Sequence, residues 1–566
     1  MARGLGRSRQ IAVGIAVAIA ALAGAGTGAP AASASHTQEA LFQDSNLLLA
    51  NPAATLAHLR QLGVDRVRLF MHWNYVAPSP HSRRRPGGFR ALSPAAYPKR
   101  GWALFDNVIT QAQANGIGVD LDVGGGAPLW ATAPGAPKNS AQFNWMPNAS
   151  EFGAFVHAVG QRYSGNYDPK TRRLSPGDKH DLPRVDFWSV WNEPDYGPSL
   201  APQGDPSNLK IERAPWMYRN LVDAAWTALH RTGHGGDTFL FGEVAPRGYP
   251  NPQQPHASWG IFSGMKPLQF LRNMYCVNSR YRPLRGTAAA LRGCPTNAAG
   301  SRSFRARHPA LFNASGFSDH PYSRWYPPNV EEQNDRDYSS LADIGQLTRA
   351  LDRLNRVYGS NTRFEIWNTE YGYITSPPKH SPDPFYGVHS FPRVIYINQS
   401  TAAYYINWAE YMSWHNPRIA STAQYLLADP LPALFSNDFG GFASGLFTYQ
   451  GKPKPTYDAY RLPLYLPNTT AAPRQSLEVW GCARPSQFVV SSTGDPQTVS
   501  IEFSPGSSGT FKSLQTVPIT NPRGYIDTRV AFPRSGYVRL RWSYPPGDAY
   551  SHATPVFSRL VHVTLR

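Results

Sequence analysis

Between about residues 40 and 465, short apolar, β-rich runs alternate with segments whose apolar positions recur at helical spacing. The runs cover 42–49, 64–73, 117–123, 185–191, 238–243, 316–320, 364–370 and 423–427, the first being the weakest. Helical segments at 52–62, 105–115, 152–163, 216–230, 340–358 and 400–415 lie between them. Eight strand–helix units running in one direction predict an α/β fold, a (β/α)8 TIM barrel over 36–465. The loops after the second to fifth runs are long and carry Pro, Gly and aromatic residues. In such a barrel the loops at the C-terminal strand ends build the site.

The pattern changes past residue 465. Residues 466–473, which include Pro467 and Pro473, read as a linker. Beyond it Val499/Ile501/Phe503, Val538/Leu540/Trp542 and Val561/Val563/Leu565 alternate with polar residues between Gly/Pro/Ser turns. This predicts a small all-β sandwich over 474–566. At the other end, Arg3, Arg7 and Arg9 precede an apolar stretch and then Ala32-Ser33-Ala34, the layout of a cleaved signal peptide over 1–35. A secreted or cell-wall-associated location is expected, with no stable membrane insertion after cleavage.

Composition narrows the classes. A chain of 566 residues that is 41% hydrophobic and 13% aromatic can build a large core, which excludes disorder as the main state. The net charge of +18 is spread along the chain without a basic helix or finger spacing, so no nucleic-acid partner is expected. Three cysteines suit an exported protein with one disulfide. Cys276 and Cys294 lie in one Pro/Gly/Arg-rich stretch and are expected to pair, leaving Cys482 buried in a later strand. The residues leave the oligomeric state open.

Two strand ends carry candidate chemistry. Trp191-Asn192-Glu193-Pro194 ends the fourth run and Asn368-Thr369-Glu370-Tyr371-Gly372 the seventh. Alternation with period two places Glu193 on the face of Ser189 and Trp191, and Glu370 on that of Ile366 and Asn368, with Glu365 on the other side. Strands four and seven lie across a barrel mouth, so the two carboxylates can converge. A carboxylate pair over a cleft suits glycoside cleavage, one group protonating the leaving oxygen and the other attacking or directing water.

Asn192-Glu193-Pro194 resembles the acid/base motif of clan A glycoside hydrolases, and Thr369-Glu370-Tyr371-Gly372 is similar to their nucleophile motif. His320-Pro321-Tyr322 resembles the strand-six His-x-Tyr, and Arg68 is similar to the strand-two Arg placed beneath the nucleophile. Within the clan the chain looks most like bacterial family 39 and family 5 enzymes. The resemblance implies a retaining glycosidase that acts on a poly- or oligosaccharide by double displacement. Glu193 would be the acid/base, Glu370 the nucleophile and Asn192 a partner of the sugar 2-hydroxyl. His320, Tyr322 and Arg68 would tune the nucleophile and line the site. The eighth run lacks the Trp often found there, and Asp120 and Asp122 stand where a His is common.

Other residues are weighed beside these. Glu243 ends the fifth run and has two readings, sugar contact or salt bridge. Trp73, Trp130, Trp259 and Trp325 lie in strand-end loops and are candidate stacking platforms, Trp73 foremost. Asp120 and Asp122 lack the further ligands of a cation site, and no metalloprotease, phosphate-loop or esterase motif is present, so neither cofactor nor metal is called for. Two rival readings use the same scaffold: a non-catalytic carbohydrate-binding or cell-wall protein, and a transglycosylase.

Overall fold

The computed structural model describes residues 37–136, 140–248, 264–331, 335–375, 397–430, 442–544 and 555–566. The stretch 1–35 and Trp259 lie outside them. Eight parallel strands form the first sheet: β1 (Glu39–Gln43), β2 (Arg66–His72), β3 (Gly118–Gly124), β4 (Phe187–Val190), β5 (Thr238–Val244), β6 (Gly316–Asp319), β7 (Glu365–Asn368) and β8 (Ser421–Tyr425). Their order is β7-β6-β5-β4-β3-β2-β1-β8. The ring closes where the Ile366 amide donates to the Arg418 carbonyl at 2.7 Å and the Ala420 amide donates to Ile366 at 2.9 Å. The predicted barrel is present, and no described helix is long and apolar enough to cross a membrane.

The helices that cover it are α1 (Ser45–Ala50), α2 (Pro52–Gln61), α3 (Lys99–Ala114), α4 (Ala149–Arg162), α5 (Ala214–Arg231), α6 (Ile344–Val357) and α7 (Gln399–Trp414). Of the six predicted helices, α2 and α7 lie within one residue of their expected bounds, and the other four begin two to six residues from theirs. The first strand needs a larger correction. It spans Glu39–Gln43, and most of the run 42–49 is helix α1. The reason is Asp44, whose side chain accepts the Leu47 amide and caps the helix, so that the apolar trio Leu47-Leu48-Leu49 packs as a helical turn. Asp44 also accepts the Leu427 amide at 3.1 Å, tying the start of the barrel to its end.

Both barrel layers are visible in β2 and β3. Val67, Leu69 and Met71 face the helices, whereas Arg68 faces the interior and pairs in register with Asp120. Outward positions supply apolar packing, and inward ones carry the charges of the site.

The C-terminal region is a two-sheet sandwich. One sheet joins β9 (Leu464–Tyr465), β11 (Ser476–Cys482) and β14 (Tyr525–Ala531). The other is built on β10 (Thr470–Ala471), β12 (Gln497–Ser504), β13 (Lys512–Ile519), β15 (Gly536–Ser543), β16 (Pro555–Phe557) and β17 (Val561–Leu565). The stretch 466–473 is thus no free linker, since Thr470–Ala471 pairs with β17, and Leu464–Tyr465 already belongs to the sandwich. Val499, Ile501, Val538, Leu540 and Val563 fill its core with no exposure. Against the barrel, Arg484 holds Glu410 of α7 through two hydrogen bonds of 2.7 and 2.6 Å, and the Tyr525 hydroxyl donates to the same carboxylate. Cys276 and Cys294 form a disulfide, and Cys482 is a buried free thiol.

Candidate active site

The C-terminal end of the barrel gathers charges contributed by six strands, β2 to β7, and the turns that follow them. Arg68 on β2 is fully buried and donates to the Glu370 Oε1 at 2.6 Å, the Asp122 Oδ2 at 2.5 Å, the Asn192 Oδ1 at 2.9 Å and the Gln43 Oε1 at 2.5 Å. The Glu243 Oε2 lies 2.8 Å from the same guanidinium. The two terminal nitrogens of one planar guanidinium reach all of these acceptors, which the single ammonium of lysine could not do.

Glu370 follows β7 and accepts at both oxygens, from Arg68 and from the Tyr322 hydroxyl at 3.0 Å. Burial and the nearby Glu370 hold the Tyr322 phenol well above its ordinary pKa, so it stays a donor. Glu193 follows β4. Its Oε1 lies 3.1 Å from the His320 Nδ1, and its Oε2 has no protein hydrogen bond among the described residues. The Glu193 side chain is 21% exposed and that of Glu370 10%. One carboxylate oxygen of Glu193, one of Glu370 and a ring nitrogen of His320 all lie within 4.8 Å of one another.

His320 sits between acids. Its Nδ1 faces Glu193 at 3.1 Å, its Nε2 faces Glu243 at 2.9 Å, and Glu370 lies 3.6 Å away. Burial opposes a charged ring, but the field of Glu370 and the bonds to Glu193 and Glu243 outweigh it and hold the imidazole pKa well above 6.5. A doubly protonated ring donates at both nitrogens and has no lone pair for a metal. The trio therefore reads as a proton and charge network, although its spacing would admit an ion.

Glu243 resolves to the salt-bridge reading. It is fully buried, accepts from the Thr369 hydroxyl at 2.9 Å, and touches Arg68 and His320. Burial would raise its pKa, yet Arg68 and His320 bring it down to about 2. Simple alternation would place Glu243 on the side of Phe239, which packs on Trp226 of α5. Gly242 at φ +128° and Glu243 at φ +48° turn the chain, and the pairing with β6 shifts register there. A Cβ on Gly242 would sit 2.3 Å from the Ser318 carbonyl, so this bulge requires glycine.

Alternation also fails past β4. Trp191 and Glu193 do not share a face: Trp191 adopts φ +68°, packs against Phe152 of α4 and donates from Nε1 to the Ser199 carbonyl at 2.9 Å. Glu193, at φ +42°, is returned to the mouth. The barrel interior below holds Asp120 and Asp122, both fully buried. Asp120 accepts from Ser189 at 2.7 Å, and burial with Glu243 close by raises its pKa to about 7. Burial also raises Asp122, despite Arg68.

Trp73 is not a sugar platform. It is fully buried, stacks on Phe155 with centroids 5.7 Å apart and meets Trp130 edge-on, because the turn after β2 directs it into the helix layer. Trp130 donates to the Pro78 carbonyl, and Trp325 lies under the Arg324 guanidinium. Gln43 and Thr369 also belong to the site, with no signal of their own in the sequence. Thr369 precedes Glu370 in its motif and Gln43 lies in the weakest of the strand runs, and neither residue type announces chemistry by itself.

No family model matches the chain, and no curated protein does. Among solved structures it is similar to a family 39 glycoside hydrolase from the gut symbiont Bacteroides cellulosilyticus WH2, at 13% identity over 88% of this chain and 80% of that one, with a TM-score of 0.42. It is also similar to a family 1 β-glucosidase from Thermotoga maritima, at 13% identity over 73% and 85%, with a TM-score of 0.42. The third is AbfB, a family 51 α-L-arabinofuranosidase from Bifidobacterium longum, at 12% identity over 88% and 92%, with a TM-score of 0.40. Likenesses this distant carry no functional weight; the geometry of the site does.

Proposed function

We propose that the protein is a retaining glycoside hydrolase acting on a poly- or oligosaccharide, with Glu370 as nucleophile and Glu193 as acid/base. The observation that carries this reading is the carboxylate pair, with oxygens within 4.8 Å and unequal surroundings. Retaining enzymes hold such groups ~5–5.5 Å apart, too close to seat a water for direct displacement. Glu370 accepts from Arg68 and Tyr322 and so is held in one orientation, with neither oxygen placed to deliver a proton. Glu193 keeps its Oε2 free for the leaving oxygen.

In the first step a Glu370 oxygen attacks the anomeric carbon while the bond to the leaving oxygen breaks and takes the proton of Glu193. In the second, Glu193 removes a proton from water, whose oxygen displaces Glu370 and completes hydrolysis. Arg68 holds the Asn192 Oδ1, which leaves the amide NH2 to donate to a sugar hydroxyl. His320 keeps a positive charge between the two acids through both steps. The disulfide fits an oxidising compartment and supports export guided by residues 1–35.

The deciding experiment is proton NMR of the first product released from a panel of polysaccharides and aryl glycosides. Retention of anomeric configuration is expected. An inverted first product would remove Glu370 from the nucleophile role.

A further inference from the structure

Far from the barrel mouth, where α7 meets the sandwich, His415, Glu478 and Asp527 each present one ligand atom, and these atoms lie within 4.8 Å of one another. His415 caps the C-terminus of α7, Glu478 is on β11 and Asp527 on β14. Asp527 pairs in register with Trp480, two residues beyond Glu478. The two carboxylates are therefore diagonal neighbours on one face, the face that Trp480 presses onto Tyr411 and Trp414 of α7.

Like charges so placed destabilise a sheet unless something neutralises them. The chain has 55 Lys and Arg against 37 Asp and Glu, yet neither Glu478 nor Asp527 pairs with a Lys or Arg among the described residues. Arg529, the basic residue nearest in sequence to Asp527, is turned to Ser476, donating to its hydroxyl at 3.1 Å and its carbonyl at 2.6 Å. Partial burial and then Glu478 raise the Asp527 pKa, and the opposing fields of His415 and of Arg529, which stands opposite Glu478 in register, do not cancel the rise. Tyr411 orients the rest of the cluster. Its carbonyl accepts from the His415 Nδ1 at 3.0 Å, which leaves the lone pair of a neutral ring on Nε2, and its hydroxyl donates to the Glu478 Oε1 at 2.9 Å.

We propose that His415, Glu478 and Asp527 bind one divalent transition-metal ion of the zinc type, clipping helix α7 of the barrel to the sandwich. One imidazole nitrogen and two carboxylate oxygens suit zinc, whereas magnesium and calcium favour all-oxygen shells. Three protein ligands leave a fourth position for water. Zinc bonds of ~2.0–2.2 Å require the ligand atoms to draw closer, a movement open to the exposed Asp527 side chain. The ion neutralises the diagonal acids and takes no part in chemistry at the mouth.

The test uses the tag-free full chain, stripped with a chelator, in calorimetric titration with ZnCl2 and in thermal unfolding. One zinc per chain and a higher unfolding midpoint are expected, with no comparable rise from MgCl2. His415→Ala and Asp527→Asn should each weaken zinc binding by at least ~10-fold and leave glycoside turnover unchanged. Glu370→Gln should keep the zinc response, which separates this site from the trio at the barrel mouth. Absence of uptake would overturn the proposal, as would zinc binding unaltered in Asp527→Asn or lost in Glu370→Gln. A pH-dependent loss of stability in His415→Ala without any metal response would instead identify an imidazolium held between two carboxylates, and would equally overturn it.

Discussion

The barrel mouth and the sandwich core are buried to the same degree and built from opposite materials. Arg68, Asp120, Asp122, Glu243 and His320 all have zero exposure in the barrel interior. The sandwich buries Val499, Ile501, Val538, Leu540 and Val563, and its one buried carboxylate among the described residues, Glu502, accepts from Arg539 at 2.8 Å. Apolar side chains of similar volume would stabilise the barrel at least as well, since burying charge costs several kcal/mol per ion before pairing offsets it. A fold that retains that cost in one place and avoids it in the other is using the first for something besides stability. Among the described residues the sandwich core holds no such cluster.

That contrast breaks most sharply at Glu370. Replacing it with Gln should abolish turnover while sugar binding persists, since an amide cannot form the glycosyl ester. Steady-state kinetics and binding calorimetry on one preparation read both, and near-normal turnover would remove the residue from its role. Glu193→Ala should slow cleavage of natural glycosides by ~10²–10⁴-fold and spare the first step for substrates whose leaving groups need no proton. Equal loss on both substrate types would contradict the acid/base assignment.

The next pair of variants compares the regions directly. Glu243→Gln leaves Arg68 and His320 short of a buried partner and should cost ~3–5 kcal/mol of stability as well as turnover. Leu540→Ala should cost a similar ~2–5 kcal/mol through the cavity it opens, with turnover per folded molecule unchanged. Denaturant unfolding beside active-enzyme titration distinguishes them; a sandwich variant that changed kcat would end the division of labour.

The smallest effect concerns pH. Asp120 titrates at about 7 in the folded chain against an ordinary 3.8, so the folded state holds a proton that the unfolded state has released. Its contribution is complete below about 4 and is lost as pH rises through 7, at ~1.4 kcal/mol per pH unit at most. Asp120→Asn, which keeps the shape without the titration, should therefore gain stability relative to the parent as pH rises across that window. Parallel melting curves for the two proteins would contradict the assignment.

Much of this was legible along the chain because it depends on local order. Apolar period and turn residues located seven barrel strands to within a few residues. Glu193 and Glu370 stood out because a charge at the end of an apolar run needs a reason. The pairing of Cys276 with Cys294 followed from their nearness in sequence.

What only the tertiary structure decided are the places where backbone leaves its regular period. Trp191 and Glu193 share parity but point to different layers, since a left-handed φ at each reorients the turn. Glu243 enters the charge cluster only through the bulge at Gly242, and that bulge is set by the neighbouring strand. Trp73 has the composition of a sugar platform and the position of a core residue, a matter of where α4 lies. Period and side-chain type are written in one dimension and determine which residues can be buried or charged. Which of them meet is set by contacts between segments hundreds of residues apart, such as Arg68 with Glu370, and these form only when the barrel closes.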